Sequence, residues 1–177
     1  MPSDLIRRQK ERLLQVGFVS AEAIKGCPEQ DLKALERQIG YALPELYRSF
    51  LKAFGNGAGD FLRGSDYICS ELIQLQEYMN EFVAELGLPP LPEKTYFAFL
   101  CHQGHSLLLL KRSRDAKDPP VFLLSEEEPK FMEAYSTFSS WLQEAVDEDL
   151  ASAKPKPRGH QFRVLPAGGR PLAPAHM

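Results

Sequence analysis

Long apolar runs are missing from this sequence: its uninterrupted hydrophobic stretches are only a few residues long, such as the leucines at 107–110. A membrane-crossing helix needs roughly 18 or more apolar residues in succession, so none is expected. Cysteine is scarce. Cys27, Cys69 and Cys101 are odd in number and widely spaced. That is not a disulfide framework, and it fits a reducing compartment, most simply the cytoplasm. The first residues, M-P-S-D-L-I-R-R-Q-K-E-R, hold neither an apolar core nor a small-residue cleavage site, so no secretory leader is expected from them. A phosphate-binding G-x-x-x-x-G-K-[ST] loop is also missing, because the glycines at 55–59 follow a helical pattern instead of a strand. No cofactor is expected.

Positive charge is scarce over most of the chain. Of the 21 lysines and arginines, five (Lys154, Lys156, Arg158, Arg163, Arg170) lie beyond residue 150, and none of the 24 acidic residues does. The first 150 residues therefore carry a formal net charge of −8, against −3 for the whole. An acidic body is a poor partner for nucleic acid or an anionic membrane and a better one for a basic protein. The plainer reading is that the charge serves solubility.

What is present is a pattern of short amphipathic elements. The 177 residues suffice for one well-packed domain. Residues 4–16 read as a first helix ending at Gly17, and a short connector follows with Ser20 as a cap and Gly26 as a stop. Pro28 opens a second helix with Leu32, Leu35 and Ile39 on one stripe, closed by Gly40. Residues 43–54 repeat the design with Pro44 at the start and Leu46, Tyr47, Phe50, Leu51 and Phe54 facing one way. Residues 60–69 read as a short strand, a glycine turn and a second extended piece. Ser70 is placed to cap a helix over 71–86. The period then changes from 3.6 to 2, giving strands over 95–101, 105–111 and 121–124, and a last helix over 136–146 capped by Ser136 or Thr137. Beyond 151 the sequence is rich in Pro, Gly, Lys and Arg without periodicity and reads as a disordered tail.

The candidate chemistry is C-H-Q-G-H, residues 101–105. As a metal site it offers Cys101, His102 and His105, but structural zinc usually takes four ligands, often as two spaced pairs, and no second pair appears. As a nucleophile pair it fails on geometry, since neighbours on a strand point to opposite faces. The local reading is a hairpin with Gln103 and Gly104 at its centre, His102 and His105 paired across it, and Cys101 packed in the core. Asp60, Arg63 and Asp66 surround the glycine turn, as a local ion-pair cluster or as a polar contact patch.

Taken together, these residues resemble a known family. E-R-Q-I-G-Y-A-L-P-E-L-Y-R-S-F-L-K-A-F-G-N-G-A-G-D-F-L-R-G-S-D-Y (36–67) is similar to the hallmark of the SUKH superfamily. That α+β group contains the yeast cell-wall-synthesis regulator and many bacterial immunity proteins. The carriers are Gly40 ahead of Leu43-Pro44, a helix with Tyr47 and Phe50, the Gly-Asn-Gly turn, and Arg63-Gly64-Ser65-Asp66. F-A-F-L-C-H-Q-G-H (97–105), Pro119 to Phe122 and Y-S-T-F-S-S-W-L (135–142) resemble later elements of its bacterial branch. His105 stands where an aromatic is more usual, the 107–110 leucines replace an aromatic-rich strand, and the basic tail lies outside the pattern.

The resemblance implies an α+β fold with a mixed, mainly antiparallel sheet flanked by helices and no enzymatic activity, and the missing second ligand pair leaves no metal expected. The likeness covers about residues 30 to 146, and the expected organisation is a domain over 27–150 between a helical extension at 1–26 and the tail at 151–177. It also implies a protein partner: a toxin domain, often a basic nuclease, for an immunity protein, or a signalling or envelope protein for a regulatory adaptor. The contact residues expected on the exposed turns are Asp60, Arg63, Asp66, Tyr67, His102, Gln103 and His105.

Overall fold

The computed structural model describes residues 1–113 and 115–153. Most of the expected tail, from 154 onward, lies outside the described residues. Among the described residues five α-helices and seven strands follow one another as α1 (Pro2–Gln15), β1 (Ile24–Lys25), α2 (Glu29–Ile39), α3 (Glu45–Phe54), β2 (Gly57–Ala58), β3 (Ser65–Asp66), α4 (Leu72–Glu85), β4 (Tyr96–His102), β5 (Ser106–Lys111), β6 (Val121–Ser125), β7 (Met132–Tyr135) and α5 (Phe138–Ala153). β3 to β7 form one sheet in sequence order with every pairing antiparallel, and β1 pairs with β2 separately. The fold is α+β, and the helices flank the sheet.

The period-3.6 stripe of α3 is the centre of the core. Leu46, Tyr47, Phe50, Leu51 and Phe54 are all buried. Tyr47 meets Phe97 and Phe99 of β4 at 5.9 and 5.7 Å, and Phe138 of α5 at 5.5 Å. Phe99 in turn meets Trp141 edge-on at 4.9 Å. Such tilted and edge-to-face pairs suit the ring quadrupoles. α1 adds Ile6 and Leu13 to the same core, and its Arg12 pairs with Asp147 of α5 at 2.5 Å.

α4 packs on the other face of β4. Register places Asp66, Cys101, Leu107 and Leu124 in one row across four strands, and residues opposite one another share a face. A register shift between Ala98 and Leu100 puts Ala98 and Cys101 on that same face although they are three apart. β3 pairs only with Cys101 and His102, which leaves the start of β4 without a strand neighbour on that side. Gln76 of α4 fills the gap. Its amide donates to the Ala98 carbonyl at 2.7 Å and accepts from the Ala98 N–H at 2.9 Å, as the peptide group of another strand would.

Several expectations are corrected. Residues 60–64 form a turn and not a strand, and the extended pairing lies earlier, at Gly57–Ala58 against Ile24–Lys25. Ser70 does not cap α4: it sits in a 3-10 turn, and Glu71 occupies the cap position without a side-chain bond. β7 adds a strand that the sequence pattern left unassigned. Thr137 does cap α5, accepting from Ser140 N–H at 3.1 Å, while Asp118 accepts from Ser139 N–H at 2.9 Å.

The turn at 60–64 is fixed from α5. Leu62 stands at φ +58, a conformation unfavourable for a residue with a side chain, and its N–H donates to Asp149 Oδ2 at 3.1 Å. Burial pushes the Asp149 carboxyl above its ordinary range, with the Leu62 bond pulling the other way. A carboxyl that is weaker in the folded state holds its proton more tightly there. Its contribution to stability therefore falls as pH rises from about 3.9, the ordinary value, through the raised folded value. Asp149→Asn keeps an acceptor for Leu62 and is expected to remove that pH dependence with little loss at neutral pH. Asp149→Ala is expected to cost about 1 kcal/mol or more by stranding the N–H. Urea melts of both variants at several pH values check this.

Candidate functional site

Two turns meet at one edge of the sheet. The first, 59–64, carries Asp60 and Arg63. The second joins β4 to β5. In that hairpin Gln103 and Gly104 have φ +50 and +75, and His105 N–H donates to the His102 carbonyl at 3.0 Å. Two successive left-handed residues are what a type I′ turn requires, and glycine takes the second place at no steric cost. Gln103 N–H donates to the Gly64 carbonyl at 3.0 Å and ties the turns together. A Cβ on Gly64 would meet the Gln103 side chain at 3.4 Å.

The two histidines do not face one another. The register pairs His102 with Ser106, so the imidazoles diverge to different partners. His102 Nδ1 shares a hydrogen bond with Ser65 Oγ at 2.9 Å, and His105 Nδ1 lies 2.8 Å from Glu126 Oε2. Cys101 is buried, and burial pushes its thiol up. Among the described residues no three His, Cys, Asp or Glu side chains converge as a metal site would need.

The remaining expected contact residues occupy different settings. Asp60 and Arg63 pair with each other at 3.6 Å and are both well exposed. Asp66 stands exposed on β3 opposite Cys101. Tyr67 is 5% exposed, and its ring packs 6.2 Å from Phe50. Burial pushes its hydroxyl up to about 12. The turns thus bring together Asp66, His102, Gln103 and His105 at the surface, with Tyr67 turned into the core behind them.

Beside them opens a cleft of about 400 Å³ between α4 and the β3 edge. Ile68, Leu72, Leu75 and Tyr78 supply its apolar lining, and Asp66 and Glu71 supply its charge. Tyr78 donates from its hydroxyl to the Gly104 carbonyl at 2.9 Å, pinning the hairpin to α4. Its hydroxyl is pushed up first by burial, then by neighbours that include Glu85, Glu126 and Glu81.

The whole span from 64 to 93 holds Asp66, Glu71, Glu77, Glu81, Glu85 and Glu93 and not one lysine or arginine. Glu77, Glu81 and Glu85 recur at i, i+4 and i+8 and so line one side of α4. Like charges at that spacing repel. Among the described residues, Asp66, Glu71, Glu77, Glu81 and Glu85 make no ion pair, whereas the acids elsewhere are often engaged: Glu29 with Arg48 and Lys52, Glu36 with Arg48, Glu45 with Lys117. An acidic surface left uncompensated beside an apolar cleft is suited to a basic, partly apolar protein surface. Reading for histidine and cysteine chemistry passes over this stretch, yet the thirty-residue absence of positive charge is legible in the sequence.

No helix among the described residues is long and apolar enough to cross a membrane. No curated protein matches the chain. The family model that does match covers residues 26–144, from just ahead of α2 into α5, taking in both turns, α4 and the cleft. It is that of the SMI1 / KNR4 family (SUKH-1), and the chain belongs to that family.

Proposed function

We propose that this protein is an immunity protein: a non-catalytic domain that binds a basic toxin domain, such as a nuclease, and neutralises it by covering its working surface. The observation that carries the reading is the acidic span 64–93, in which Asp66 and Glu71 line the cleft and, with Glu77, Glu81 and Glu85 of α4, make no ion pair among the described residues. A nuclease is basic where it grips phosphate, so an acidic inhibitor is steered to that surface and competes for it. The interface is assigned to Asp66, Glu71 and the acidic side of α4, with His102, Gln103 and His105 and the Asp60–Arg63 pair at its border. Three free thiols suit action in the cytoplasm.

The test is affinity capture by the full chain from its source cell at low and high salt, alongside a variant with Asp66, Glu71, Glu77 and Glu81 changed to lysine. One basic protein, retained at low salt, released at high salt, lost by the variant and toxic unless co-expressed with this chain, is the expected result. Retention of a resident signalling or envelope protein, indifferent to salt, would favour a regulatory adaptor of the cell-wall-regulator type instead.

A further inference from the structure

We propose that the cleft between α4 and the β3 edge is occupied in cis by this chain's own basic segment at 154–165, K-P-K-P-R-G-H-Q-F-R-V-L. Phe162, Val164 and Leu165 enter the apolar lining, and Arg163 meets Asp66 and Glu71. Three observations carry this. Charge is complementary: the tail holds five basic residues and no acidic one, and the cleft is lined by Asp66 and Glu71 with no lysine or arginine. The apolar character is complementary too. Ile68, Leu72, Leu75 and Tyr78 offer a cavity of about 400 Å³, and the tail's one cluster of large apolar side chains is broken only by an arginine. An aromatic or aliphatic anchor beside a paired arginine is what such a pocket holds best.

The third observation is place. The described chain stops at Ala153 on α5, one helical turn beyond Asp149. Asp149 holds Leu62 N–H, and Leu62 is four residues ahead of Asp66. Ala153 therefore lies within about 25 Å of Asp66 along this path. Phe162, nine residues on, can reach about 30 Å from Ala153. Tethering places the segment at an effective concentration on the order of millimolar, so even a weak contact is populated. A tail docked here competes with any basic partner for the same carboxylates and screens the apolar lining until that partner arrives. The docking stands or falls separately from the identity of the partner.

The experiment uses the full chain, isotope-labelled, with His160→Cys carrying a nitroxide; the three native cysteines are buried. The amide signals of Ile68, Leu75, Tyr78 and Gly104 are expected to lose most of their intensity at low salt. They should regain it at roughly 1 M salt, where the screening length is about 3 Å. Adding Phe162→Ala and Arg163→Glu should restore them at low salt, and Asp66→Lys with Glu71→Lys should do the same from the other side. Intact signals at low salt would overturn the proposal. So would broadening confined to the end of α5 or to the Tyr96, Phe122 and Phe131 cluster. Broadening that persists when nitroxide and isotope are on separate molecules would place the tail of a second copy in the cleft, and would overturn docking in cis.

Discussion

Truncating Phe50 to alanine is expected to lower the stability of the domain by about 3–5 kcal/mol. Phe50 is fully buried and sits where α3, α5 and the segment after β3 meet. Its ring lies 6.2 Å from Tyr47, 5.4 Å from Phe54, 6.2 Å from Tyr67, 5.7 Å from Phe138 and 6.1 Å from Trp141. These five neighbours come from three parts of the fold, α3, α5 and the segment after β3, and cannot all close on the space that alanine leaves. The cost is therefore the lost transfer energy together with the cavity. Domains of this kind have about 5–15 kcal/mol in total, so the variant is expected to lose a large share of its stability. Urea melts report it as a fall in midpoint of roughly 1 M or more at unchanged slope. A fall equivalent to less than about 1 kcal/mol would mean that this aromatic junction is not the centre of the core.

The second large effect is expected at Gln76. Leucine there keeps the volume and removes the amide. The Ala98 N–H and carbonyl lose the partner that closes the sheet edge, at a residue with no exposed surface. Each stranded backbone group costs about 1–3 kcal/mol, so Gln76→Leu is expected to cost about 2–6 kcal/mol. Gln76→Glu accepts from the N–H and sets a carboxylate against the carbonyl, so it is expected to rescue little. Amide hydrogen exchange gives the local reading. Ala98 is expected to exchange slowly in the native chain and much faster in the leucine variant, ahead of residues in β5. Unchanged protection at Ala98 would mean that something other than Gln76 closes the edge.

The long helices were legible because their periodicity is dense. In α3 five of ten residues form the apolar stripe, and all five are buried. The two-residue strands β1, β2 and β3 were not, since a period of two cannot declare itself over two residues. Their pairing is a tertiary outcome: β1 meets β2 beside α3, and β3 meets the end of β4. In β4 the alternation misleads for a different reason: the register shift puts Ala98 and Cys101 on one face, so counting in twos from either end gives different answers.

Within the candidate site, the hairpin centre at Gln103 and Gly104 could be read from glycine chemistry alone. The partners of the two histidines could not. Ser65 and Glu126 reach them from β3 and from the end of β6, elements that no local pattern joins to the turn. Tyr67 shows the same limit, because an aromatic beside a turn is exposed or buried according to what lies behind it. Here that is Phe50.

The central claim is that the acidic, cleft-bearing side of α4 and β3 is the binding surface. The most direct measurement is the association rate of the captured basic partner with the full chain at low salt. The rate for Asp66→Lys with Glu71→Lys is compared with that for Glu11→Lys with Glu22→Lys, an equal charge change in α1 and in the 3-10 turn after it. Steered association rises by roughly 10-fold to 1,000-fold over the unsteered rate, so reversal at the cleft is expected to slow it about 10-fold or more while the control pair changes it far less. An equal effect from both pairs would mean that only the overall charge matters, and would contradict the assignment of the surface.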